Sequence, residues 1–248
     1  MITFKHSGNA GDIIYSIPFM NGVKGLKKLY LQLNRASGFT ADNHPVGNVM
    51  LNKAMAEKLL PLMKYVVDEV EIVEDAPEVD YDLDLFRLEY KNLAAGNISL
   101  WHSVVYPQIK MDLTIINLYL TGKIDNNYTI INRSERYNNL FIDLSQYEQF
   151  ENLKFVGTEK EFRIISASVK NIEHLKVDNF LELARYISGC KLFIGNQSMP
   201  FAIAEQLKVK RILEQHYICP NVIPQGGECY VYHTNDQLTN IINLIKNN

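Results

Sequence analysis

The chain has 248 residues, of which 47% are hydrophobic and 21% charged, with a net charge of −3. That is an ordinary balance for a soluble globular protein, long enough for one large or two small α/β domains with a real core. Ten acids against one arginine between Asp68 and Glu89 argue against a nucleic-acid surface, and no apolar run approaches the length of a membrane span.

The N-terminus enters a strand directly, without a signal-peptide pattern. The expectation is a cytoplasmic protein with no transmembrane segment, open only to peripheral contact with a membrane. Cys190, Cys219 and Cys229 have no zinc-like spacing and are expected to be thiols in a reducing compartment.

In chain order, residues 2–6 read as a buried strand, and Ile13, Ile14, Ile17 and Met20 define one face of a helix over 12–23. Residues 7–11 must therefore form a tight strand-to-helix turn, with Gly8 and Gly11 letting the backbone approach a ligand and Asn9 between them. The turn lacks the Lys-Ser/Thr ending of a triphosphate loop and the third glycine of the dinucleotide fingerprint. Asp12 either complements the helix dipole or does chemistry, and spacing alone leaves both open.

Strands at 28–33 and 70–73 with a helix at 48–67 continue a βαβ rhythm, which implies a parallel sheet. Asp82-Leu83-Asp84 matches an Asp-x-Asp metal motif, but alternation sets both acids on one face of a half-buried strand opposite Tyr81, Leu83 and Leu85, which needs no metal. Trp101, His102, Tyr106 and Tyr119 can stack on a sugar or pack a core. The polar turn at 122–127 marks a domain boundary, giving domains 1–124 and 125–248.

The second half repeats the rhythm. Strands are expected at 128–131, 140–142, 154–156, 191–194 and 211–213, and helices at 159–168, 179–187, 200–207 and 236–245, with the last helix packing back across a cleft. Two Rossmann-like units would face each other over that cleft, with strand C-termini on both sides, where ligands bind. Gly195-Asn196-Gln197-Ser198 leads from a strand into a helix whose Pro200 suits the first turn, so a phosphate can sit on the N–H groups of Gln197 and Ser198. Glu205 lies about two turns further on the same face, where it can accept a sugar hydroxyl or simply be an exposed acid. His6, His44, His102, His174, His216 and His233 show no paired ligand spacing, and no Gly-x-Ser-x-Gly elbow is present.

The stretch from Phe193 to Ser198, continuing through Ala204 and Leu207, resembles the donor-site motif of the heptosyltransferase-like glycosyltransferases, family 9 of the two-Rossmann-domain (GT-B) class. Phe155-Val156-Gly157-Thr158-Glu159-Lys160-Glu161 resembles the family's preceding strand-Gly-Glu motif. The Ser-Gly-Asn-Ala-Gly-Asp turn resembles its N-terminal loop. Gln197, Met199 and Ala202 stand where family members commonly have Asp, Gly and His.

The resemblance implies an acceptor-side first domain and a second domain that binds a nucleotide-diphosphate sugar. Asp12 would be the catalytic base and Glu161 the ribose ligand, with Glu205 as a further candidate. Ser134 with Arg133 or Arg136, in the segment after strand 128–131, would meet the donor diphosphate. It implies inverting transfer to a glycan or glycolipid hydroxyl, with no metal and no cofactor. A polysaccharide pyruvyltransferase carries a similar N-terminal turn but needs a histidine that nothing near Ala202 supplies. A nucleotide-sugar-binding protein without turnover is the non-enzymatic alternative.

Overall fold

The computed structural model describes residues 1–37, 46–89, 96–112 and 122–247. His44 and Tyr119 lie outside the described residues. The first sheet has the order β3-β2-β1-β4, from β1 (Ile2–His6), β2 (Lys27–Gln32), β3 (Glu69–Val73) and β4 (Tyr81–Asp82). The second has the order β10-β9-β8-β5-β6-β7, from β5 (Thr129–Asn132), β6 (Leu153–Phe155), β7 (Glu173–His174), β8 (Leu192–Asn196), β9 (Arg211–Glu214) and β10 (Cys229–Tyr232). Every pairing in both sheets is parallel. This is the α/β architecture of two Rossmann-like sheets that the sequence rhythm predicts, and it sends the C-terminal ends of β1, β5, β6 and β8 into the loops that build the site.

The helices are α1 (Ala10–Tyr15), α2 (Ile17–Gly22), α3 (Lys53–Met63), α4 (Phe86–Glu89), α5 (Ile98–Val105), α6 (Glu159–Ser166), α7 (Phe180–Ser188), α8 (Met199–Leu207) and α9 (Asn235–Lys246). The single helix expected over 12–23 is two. Pro18 in the first turn of α2 has no N–H to continue the ladder, and Ser16 ends α1 with its hydroxyl on the Ile13 carbonyl at 2.7 Å. The helix expected over 48–67 is shorter, opening where the Asn52 side chain accepts the Met55 N–H at 2.9 Å. Residues 140–142, expected as a strand, form a turn in which Phe141 has φ +65° and is 91% exposed.

Between the sheets, α1 packs on α8, and α3 packs on α7. One cluster of buried side chains runs from Phe4, Ile13 and Phe19 of the first half to Phe193, Phe201 and Leu213 of the second. A second cluster, including Ile131, Phe155, Ile194, Leu238 and Ile242, lies between the second sheet and α9. The last helix therefore covers the back of its own sheet and does not cross the cleft. Among the described residues, no helix is long and apolar enough to cross a membrane.

Candidate functional site

A cavity of about 550 Å³ opens between the two halves. Its first wall is the turn after β1, with Asn9, Gly11, Asp12 and Tyr15 facing in and Met55 and Lys58 of α3 beside them. Asp12 sits in the first turn of α1, and one of its carboxylate oxygens accepts a 2.6 Å bond from Nη2 of Arg87 in α4.

Arg87 Nε also lies 3.9 Å from Asp84. Asp84 is buried and accepts the Ser7 hydroxyl at 2.7 Å and the Ser7 N–H at 3.1 Å. Burial pushes the Asp84 carboxyl up, but hydrogen bonding and charge from His6, with the Ser7 bonds, outweigh it and hold the group well below the usual carboxylate range. His6 Nδ1 is 3.2 Å from Asp84 and 3.0 Å from the Gly8 N–H; a protonated Nδ1 serves the carboxylate and a bare one the amide.

The Asp-x-Asp pair is thus spent on protein partners. Asp82 takes Lys5 at 2.6 Å, and Asp84 follows β4 without belonging to it. Among the described residues, no group of three or more His, Cys, Asp or Glu side chains is gathered for a metal ion.

The opposite wall comes from the second sheet. After β5, Ser134, Glu135, Arg136 and Tyr137 face the cavity; after β6, Gly157, Thr158 and Glu161; after β8, Gln197, Ser198 and Met199. Glu161 belongs to a capping box at the start of α6, its Oε2 accepting the Thr158 N–H at 2.8 Å and hydroxyl at 3.0 Å. Gly157 makes that return possible, because a Cβ there would come within 2.8 Å of Glu161 Oε2 and 2.7 Å of the Phe155 ring.

At α8, the Ser198 hydroxyl donates to Asn132 Oδ1 at 2.5 Å instead of capping the helix. The first turn of α8 is thus without a side-chain cap. The Gln197 side chain is consumed in the fold: it donates to the Cys219 carbonyl and to Asn221 Oδ1, both at 2.7 Å, and accepts the His216 N–H at 2.7 Å. Only its backbone is available to a ligand.

Four expected site residues stand elsewhere. Gly8 backs onto the charged network, since a Cβ would lie 2.2 Å from Arg87 Nη2. Arg133 is held by Glu214 through Nε at 2.6 Å and Nη2 at 3.0 Å, which leaves Arg136 as the cavity's arginine. Glu205 is 1% exposed, paired with Arg211 at 2.6 Å and Lys208 at 2.6 Å. It is a core ion pair and no ribose ligand, because α8 is buried from Pro200 to Leu207.

Asn196 is fully buried and shapes the 134–138 loop from behind, Nδ2 donating to the Ser134 and Arg136 carbonyls at 2.9 and 2.6 Å. Trp101, His102 and Tyr106 belong to an aromatic cluster with Phe19 and Phe86. Their role is packing. Cys190, Cys219 and Cys229 are in no disulfide, and burial lifts the Cys190 thiol to about 12.

The residues that sequence reasoning missed are Arg87, Asn132 and Tyr137. Arg87 had a signal, as the single arginine among the ten acids of 68–89. Tyr137 had none, because its importance lies in a backbone φ of +54°.

No protein-family model matches the sequence, and no curated protein does. Solved structures do match in fold. A glycosyl transferase family 9 protein from Veillonella parvula DSM 2008 superposes with a TM-score of 0.54 at 13% identity, over 99% of this chain and 88% of its own. The E. coli heptosyltransferase WaaC with ADP-2-deoxy-2-fluoro heptose gives 0.57 at 9% identity, over 98% of this chain and 99% of its own. The E. coli ADP-heptose LPS heptosyltransferase II gives 0.51 at 11%, over 100% and 99%. At such identities the likeness is one of fold, and the chain carries from end to end the two-sheet GT-B architecture of these glycosyltransferases.

Proposed function

We propose that the protein is a glycosyltransferase that moves a sugar from a nucleoside-diphosphate sugar to a hydroxyl of a glycan or glycolipid acceptor, with inversion at the anomeric carbon and without a metal ion. One observation carries this reading: Asp12 faces a cavity whose opposite wall holds Ser134, Arg136, Glu161 and the start of α8. The first half would take the acceptor side and the second the donor. Asp12 would remove the acceptor proton as the hydroxyl oxygen attacks the anomeric carbon. The bond from that carbon to the diphosphate oxygen breaks, and its electron pair leaves with the diphosphate, stabilised by Arg136, the Ser134 hydroxyl and the N–H groups of α8. Glu161 would hold the ribose.

Metal independence is part of the proposal because arginine and helix dipole supply the positive charge, while Asp82 and Asp84 are engaged by Lys5 and Ser7. One relative in fold was solved with ADP and with an ADP-heptose analogue, so ADP-sugars head the donor panel. Asp12→Asn keeps the shape but cannot take a proton. It should stay folded, bind donor nearly as well as wild type, and transfer at least about a hundredfold more slowly, with wild-type activity unaffected by EDTA. Transfer at the wild-type rate would remove Asp12 from catalysis.

A second reading, a nucleotide-sugar-binding protein without turnover, is favoured by the 2.6 Å pair that engages Asp12 with Arg87. Binding without transfer or donor hydrolysis would select it. The pyruvyltransferase reading needs a histidine near Ala202, and Ala202 is fully buried.

A further inference from the structure

Tyr137 has a backbone φ of +54°. An aromatic residue seldom takes that left-handed conformation, and it persists only where the surroundings over-determine it. Here they do. Asn196 Nδ2 donates to the carbonyls of Ser134 and Arg136 on the N-terminal side and to Asn138 Oδ1 on the C-terminal side, at 2.9, 2.6 and 2.8 Å, and its Oδ1 accepts the Ser134 N–H at 3.0 Å. The His216 ring meets Tyr137 edge-on at 5.9 Å, and the Arg136 guanidinium lies 5.4 Å from its centroid.

A strained backbone, a buried clamp and two ring contacts thus fix one aromatic side chain on the cavity wall. Its hydroxyl makes no hydrogen bond with the described residues. Burial pushes the phenol above its ordinary value, and Asp12 pushes the same way from the opposite wall, while Arg136 and Arg87 pull it down. Tyr137 thus shares the cavity with the Asp12 carboxylate on one wall and Arg136 on its own.

We propose that Tyr137 is a further ligand-contacting residue, its phenol donating a hydrogen bond to the diphosphate of the nucleoside-diphosphate sugar at the oxygen that leaves the anomeric carbon. This rests on the glycosyltransferase reading and names a contact that reading does not require. No proton is passed, because the released phosphate oxygen is far less basic than a phenolate, and burial holds the Tyr137 phenol above even its ordinary value. The bond strengthens as the carbon–oxygen bond breaks and negative charge gathers on that oxygen. Burial keeps the phenol protonated, so it is a donor throughout the neutral range.

Tyr137→Phe preserves the ring and its neighbours and removes only the hydroxyl. Wild type and variant are titrated calorimetrically with ADP, GDP, UDP and CDP, and with the matching monophosphates. At least one diphosphate should bind wild type and bind the variant about tenfold or more weakly, while affinity for its monophosphate changes little. Tyr137→Gly, which accepts the positive φ without strain, should stay folded and bind that diphosphate no better than the Phe variant. Unchanged diphosphate affinity in either variant, or an equal loss on the monophosphate, overturns the inference. A wild-type protein that binds no member of the panel overturns the donor reading beneath it, so the two failures are distinct.

Discussion

His102 shows how far one buried side chain can set the acid stability of the first half. It is fully buried between Phe19 and Phe86, at 5.8 and 5.1 Å between ring centroids, with neither ring nitrogen partnered among the described residues. Burial first, then the charges of His6 and Arg87, pull it down to about 3 against the opposing pull of Asp84. Below about pH 6.5 the unfolded chain takes a proton that the folded chain refuses, so stability falls with pH until about pH 3. By pH 5 that loss is about 2 kcal/mol. His102→Phe keeps the ring contacts and removes the titration. Its urea-unfolding free energy should therefore drop about 2 kcal/mol less between pH 8 and pH 5 than wild type's, and an identical drop would contradict the assignment. At this scale the sequence disclosed placements that follow from neighbours along the chain, such as Asp12 in the first turn of the helix after the two-glycine turn. It hid those defined by distant partners, as when Arg133 pairs with Glu214 some 81 residues away. Glu205 misled for another reason: a shared face with Ser198 says nothing of solvent when α8 is buried all round.

The start of α6 is the clearest case of an element holding a site residue in place. Thr158 and Glu161 satisfy each other's backbone N–H groups, and the same geometry turns Glu161 toward the cavity. Thr158→Ala should cost about 1 kcal/mol of stability through the lost cap. If Glu161 holds the ribose, the same change should raise the donor KM with little effect on kcat. Melting and steady-state kinetics would check the two effects separately, and a stability loss with an unchanged KM would leave α6 a structural element only. The helix from residue 159 and the strand before it were legible in the sequence, whereas the capping box that joins them shows only in the structure. The elements that went unread, α4, α5, β7 and β10, have two to eight residues each, mostly too short for a period to show. The apolar run Leu140-Phe141-Ile142 imitated a strand for the same reason. Its length carried no periodic information, and its turn is held by distant partners, the Asn139 side chain donating to the Gln215 carbonyl at 2.7 Å and Asn235 Nδ2 to the Phe141 carbonyl at 2.8 Å.

At the scale of the whole molecule, the two sheets share a core. The two-domain division read at the 122–127 turn describes the chain's rhythm, but the cluster from Phe4 to Leu213 joins both sheets through α1, α8 and α7. A common core couples the halves energetically, so ordering one wall of the cavity should be felt on the other. Trp101 is the only tryptophan, buried in α5 of the first half, whereas the nucleotide is proposed to sit on the second. A nucleoside diphosphate at a hundred times its dissociation constant adds about 2.7 kcal/mol, or roughly 5–10 °C at this chain length. If the halves unfold as one unit, the fluorescence transition of Trp101 should move by the same amount as the far-ultraviolet dichroism transition. Were the halves independent, the ligand would shift only part of the dichroism signal and leave the Trp101 midpoint in place. Parallel melts by the two probes, with and without the nucleotide that binds, decide between a single cooperative body and two domains that merely touch.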